Sequence, residues 1–132
     1  MKRLVRAVLL ASLTGLVLLP ATPVSAARAD APEIRWKLRS ITLDVYSGTI
    51  TVKARVRCSG RGTAEWSARA VQDVRARGTA EIICDGQRRR SKIMLDPANG
   101  SFRPGPVSFD IGLVACGKKT CTASGQSFTT RV

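Results

Sequence analysis

Four cysteines, no histidine and an excess of cations bound the chemistry open to this chain. Cys58, Cys84, Cys116 and Cys121 have two uses, as metal ligands or as two disulfides. A zinc site fits poorly. Cys116-Gly-Lys-Lys-Thr-Cys121 holds four intervening residues, two of them cationic, and no imidazole exists to complete a mixed ligand set. An even cysteine count in a small exported chain reads instead as a disulfide framework. Lack of His also removes the commonest general base and the Ser-His and Cys-His nucleophile pairs. The nine Asp and Glu are spread without clustering, and no glycine-rich phosphate loop is present. The sequence therefore calls for no enzyme, no cofactor and no metal.

Export is read from the first 26 residues. Lys2, Arg3 and Arg6 make a basic start, and Ala7 to Leu19 form an apolar run. Pro20 and Pro23 end any helix, and Val24-Ser25-Ala26 supplies the small residues of a cleavage site. The run is shorter than the ~20 apolar residues a spanning helix needs. Residues 1–26 are thus expected to be a signal peptide, 27–32 a flexible tail, and 33–132 one domain of a secreted, extracellular protein. No lipid-attachment Cys and no second hydrophobic span follow, so a released product without a membrane anchor is expected.

The whole chain carries 22 Lys and Arg against nine Asp and Glu, a formal charge of +13. Loss of the three leader cations leaves 19 against nine, a net of +10. Such a balance favours anionic partners: an anionic cell-wall polymer, nucleic acid or anionic lipid head groups. The bland account is codon bias toward Arg and a solvated surface.

Positioning falls to strands. Ile41, Leu43 and Val45 alternate with polar residues before a Ser47-Gly48 turn, and Ile50, Val52, Ala54, Val56 and Cys58 face one way while Lys53, Arg55 and Arg57 face the other. Ala64, Trp66, Ala68 and Ala70 form the next inward set, with a helix over 63–78 as the alternative. A loop at 73–78 leads to Ala80, Ile82 and Cys84, and Asp85-Gly86 marks a tight turn. Ile93 and Leu95 carry another strand. Residues 97–106, rich in Pro and Gly, connect it to Val107, Phe109, Ile111, Leu113 and Ala115; Phe128, Thr130 and Val132 end the chain in phase. Ile34, Trp36 and Leu38 also alternate, but their phase slips by one before Ile41, which predicts a bulge or a switch of sheet. Seven short strands predict an all-β, immunoglobulin-like antiparallel sandwich.

Gly48-Thr-Ile-Thr-Val-Lys-Ala-Arg-Val-Arg-Cys58, Ile83-Cys84-Asp85-Gly86, Phe102-Arg-Pro-Gly-Pro-Val107 and the Cys116, Cys121 pair together resemble a family of small exported actinobacterial β-sandwich domains of uncharacterised function. The resemblance spans most of residues 41–124 and implies an immunoglobulin-like fold, two disulfides and no known activity. A weaker similarity, through the Cys116–Cys121 spacing, is to the neocarzinostatin-type chromophore carriers. This chain departs from those in its basicity and in the 26-residue separation of Cys58 and Cys84.

Antiparallel neighbours would bring the ends of the second, fourth and sixth strands, and hence all four cysteines, to one pole. Phase then assigns the partners. Cys58 and Cys84 are in register with inward residues and Cys116 is not, so the expected bridges are Cys58–Cys84 and Cys116–Cys121, the first pinching the two sheets together. Turns at that pole gather Arg57, Arg61, Arg88, Arg89, Arg90, Lys118 and Lys119 around Asp85. These seven are the candidate anion-binding residues. Trp66 is expected to pack in the core beside the long bridge, and Trp36 and Tyr46 to be less constrained surface aromatics. The reading that follows is a non-enzymatic binding module for anionic extracellular polymers. The alternatives are a small-ligand carrier, which needs a deep apolar cleft, and an inhibitor or structural surface protein, which would present the 97–106 loop.

Overall fold

The computed structural model describes residues 31–132 and contains seven strands and no helix among them. They are β1 (Ile34–Asp44), β2 (Thr49–Cys58), β3 (Thr63–Val71), β4 (Arg75–Ile83), β5 (Arg88–Leu95), β6 (Pro106–Cys116) and β7 (Cys121–Arg131). The leader and residues 27–30 of the expected tail lie outside the described residues. Pro32, at the end of that tail, is buried against the 59–62 turn.

Two antiparallel sheets form a sandwich, one ordered β1-β2-β5 and the other β4-β3-β6-β7. Period-two patterning explains why. β2 alternates so strictly that Ile50, Val52, Ala54, Val56 and Cys58 are all buried, and β3 does the same with Ala64, Trp66, Ala68 and Ala70. The sandwich buries Trp66 completely on its third strand, as immunoglobulin domains bury a Trp on theirs. The strand at β3 also settles the helical alternative for 63–78.

The phase slip before Ile41 is a bulge: β1 pairs with β2 in register through Leu38↔Ala54, skips Arg39, and resumes at Ser40↔Lys53. Two details differ from the sequence reading. β4 begins at Arg75, so only Gln72 to Val74 turn the chain, and Gly78 sits mid-strand opposite Ala68. A Cβ there would collide with Ile93 Cγ2, which is why glycine interrupts the pattern where β4 and β5 converge. Val45 leaves the alternation and is exposed in the turn before Gly48.

Both expected disulfides are present. Cys58–Cys84 joins the end of β2 to the residue after β4 with Cα atoms 4.5 Å apart, so the sheets pinch well below the ~10 Å of facing sheets. Cys116–Cys121 closes the β6–β7 hairpin on its exposed side. Trp36 is half-buried rather than a loose surface aromatic. Its alternation turns it inward, where its ring lies 5.2 Å from that of Trp66 and its Nε1 donates to Ser124 Oγ at 3.1 Å. Tyr46 is almost fully exposed.

Candidate anion-binding face

Each strand of the three-stranded sheet places cations at every second position. β1 supplies Arg35 and Lys37, with Arg39 in its bulge; β2 supplies Lys53, Arg55 and Arg57; β5 supplies Arg88, Arg90 and Lys92. They alternate along each strand with inward-facing residues, and all are exposed. Register sets them in rows: Arg35 opposite Arg57 opposite Arg88, Lys37 opposite Arg55 opposite Arg90, and Lys53 opposite Lys92. With strands ~4.8 Å apart and alternate residues ~6.7 Å apart, nine cations occupy a patch of roughly 10 by 13 Å. Shallow depressions of about 330 and 370 Å³ lie between their side chains, the first lined by Arg35, Lys37, Arg57 and Arg88 and the second by Lys53, Arg90 and Lys92, with Arg39 and Arg55 shared.

Carboxylates stay at the rim. Glu33 pairs with Arg35 at 2.8 Å at one end, and Asp44 caps the far turn, where the Tyr46 and Ser47 N–H groups hold its carboxyl below the ordinary range. Directly opposed like charges on a sheet are destabilising, and a sequence indifferent to them would intersperse acids. The other sheet of this protein does so. On its outer face Glu65, Glu81 and Asp110 stand among Arg69, Arg75 and Arg77, with Arg69 opposite Asp110. Codon bias acts on both faces equally and so does not account for adjoining rows of cations with no acid between them.

The seven candidates from the sequence divide into three groups. Arg57, Arg88 and Arg90 belong to this face, and Arg57 Nε also donates to the Gly86 carbonyl at 2.8 Å. Arg89 points the opposite way along β5, is half-buried, and pairs with Asp85. That guanidinium, and then the Gln87 N–H, draw the Asp85 carboxyl below its ordinary range. Arg61 and Lys118 line a separate hollow of about 750 Å³ at the disulfide pole, and Lys119 is exposed in the hairpin turn beside it. Arg88, Arg89 and Arg90 therefore do not act together: alternation sends the middle one to the other side. Sequence reasoning missed Arg35, Lys37, Arg39, Lys53, Arg55 and Lys92. The signal was there as three segments with a cation at every second position, but their adjacency depends on β5 pairing with β2 across an intervening hairpin.

The space between the sheets is filled, with Trp66, Phe109, Ile50, Leu95 and Leu113 fully buried. The 97–106 connection is tied down: Phe102 is buried, and the Gln72 side chain bonds the Arg103 N–H and carbonyl and the Pro106 carbonyl. Among the described residues no group of three or more His, Cys, Asp or Glu is placed to hold a metal ion. They form no helix long and apolar enough to cross a membrane. No protein-family model matches the chain, and neither does any curated protein.

Proposed function

We propose that the chain is an exported, non-enzymatic binding module that holds anionic polymers, such as wall teichoic acid or extracellular nucleic acid, against the outer face of β1-β2-β5. One observation carries this reading: eight cations in register on one sheet face, with Arg39 in the bulge beside them and no acid among them in the described residues, next to a second face of mixed charge. Each opposed pair raises the free energy of the unbound protein, and an anion laid between the rows lowers it again. An open array with only shallow depressions suits a repeating backbone better than a single small ion, because affinity then scales with the number of phosphates met. Two disulfides and the expected leader support an extracellular setting.

The test is a salt titration of binding to duplex DNA and to teichoic acid. Wild type is compared with two variants that lose equal charge: Lys53→Ser/Arg55→Ser/Arg90→Ser on the face, and Arg61→Ser/Lys118→Ser/Lys119→Ser at the pole. On DNA the face variant should lose about 2.7 from the log–log salt slope, at about 0.9 per phosphate contact. The pole variant should match wild type. Equal losses would mean diffuse charge, a larger loss in the pole variant would move the site to the loops, and no binding at physiological salt would remove the proposal.

A further inference from the structure

Among the described residues four strands lie at sheet edges: β1 and β5 in one sheet, β4 and β7 in the other. An edge exposes a row of unpaired N–H and C=O groups, which proteins ordinarily blunt with charge, proline or a bulge. β1 has its bulge at Arg39 and alternating cations, β4 carries two Arg and a Glu, and β5 has four cations in its first five residues. β7 has none of these protections. It is 11 residues long, runs in unbroken register with β6, lacks proline and is charged only at Arg131.

The hydrogen-bond phase of β7 can be read from both of its ends. Gly117 N–H donates to the Thr120 carbonyl at 2.8 Å, and Gly105 and Val132 exchange two bonds of 3.2 and 3.0 Å. Bonded and non-bonded pairs alternate along an antiparallel ladder, so the even-numbered residues of β7 bond to β6. The odd-numbered ones, Ala123, Gly125, Ser127 and Thr129, turn their backbone groups away from the sheet. Only small side chains accompany that row. β1 of the other sheet packs against the inward side of β7, where Trp36 Nε1 donates to Ser124 Oγ, and leaves the strand's outer edge uncovered. Ser124 and Gln126 share the inward phase of half-buried Phe128 yet are exposed, so a partner strand has open access.

We propose that this edge pairs with β7 of a second copy of the chain, antiparallel about a two-fold axis at Gln126. In that register Cys121 lies opposite Arg131, every residue of the strand is used, and about ten backbone hydrogen bonds form. The two Arg131 side chains fall at opposite ends, so a strongly cationic protein meets its copy along the edge with the fewest charged residues. Gln126 faces its own mate across a close pair. The axis of such an isologous contact runs normal to the sheet, so both cationic faces point the same way. A long polyanion then meets two arrays at once. That last consequence rests on the proposed function; the pairing itself does not.

Sedimentation of the purified protein, with Gln126→Lys and Gln126→Glu beside wild type, tests the pairing. Wild type should dimerise at micromolar concentration. Each variant alone places like charges face to face at the axis and should weaken association at least about tenfold. Mixing the two variants should restore the dimer, because Lys then opposes Glu, and a variant that merely failed to fold would not be rescued. A wild type that stays monomeric, or variants that dimerise like wild type or are not rescued by mixing, would overturn the proposal. A dimer that binds neither polymer would leave the pairing standing and remove the proposed function.

Discussion

Replacing Arg55 with Thr should make this protein more stable. Arg55 is the centre of the cationic face, opposite Lys37 on one side and Arg90 on the other, with Lys53 and Arg57 two residues away on its own strand. Unit charges about 6 Å apart in water repel by about 0.7 kcal/mol. A Debye length of about 8 Å at physiological ionic strength cuts that to about 0.3 kcal/mol for each opposed cation. The two neighbours along the strand, about 7 Å away, add slightly less each. Removing Arg55 should therefore stabilise by about 1 kcal/mol, a rise in Tm of about 4 °C for a domain of this size. Thr is itself at home in a strand, so the diagnostic is salt: at about 1 M the electrostatic part should all but vanish. Arg69→Thr on the other face is the control. Arg69 stands between Arg77 and Asp110, and the two contributions offset each other. Thermal unfolding of both variants at low and high salt reads the result. A gain at Arg55 that ignores salt, or an equal gain at Arg69, would refute the reasoning, since repulsion within the face would then be absent.

Two further outcomes concern the scaffold. Removing the Cys58–Cys84 bridge with paired Ser substitutions should cost about 3–4 kcal/mol and removing Cys116–Cys121 about 2 kcal/mol, since the first closes the longer loop; thermal melts of the two double variants give the order. Gly78→Ala drives a methyl group into Ile93 and to 3.1 Å from the Met94 carbonyl, and should cost about 1–3 kcal/mol by denaturant titration, whereas Ala at exposed, uncontacted Gly62 should lose only the strain of its positive φ.

Much of this fold was legible because strand alternation is a local property. The inward sets of β2, β3 and β6 could be read residue by residue, as could the slip at Arg39. Cysteine phase gave both bridges for the same reason: it reports which side of a strand a sulfur leaves from. β4 was legible only in its second half. Arg75-Ala76-Arg77-Gly78 resembles a loop until Ile93 is known to press on Gly78 from the other sheet. The cationic face was hidden by the same nonlocality. Turns cluster in sequence and drew attention to the cations of 57–61, 88–90 and 118–119 as one pole, while the rows that form in space join Arg35 to Arg57 to Arg88 through pairings no local pattern states.

Where a polyanion touches the protein is the most direct measure of the central claim. Backbone amide shifts should be followed by NMR as a short oligonucleotide, and separately a teichoic acid fragment, is titrated into the labelled protein. The account predicts that the largest changes fall on Lys37, Lys53, Arg55, Arg88, Arg90 and Lys92, fade together as salt is raised, and leave β3, β4 and the 117–120 turn near their free positions. Changes concentrated at Arg61, Lys118 and Lys119, or spread evenly over both sheets, would contradict it.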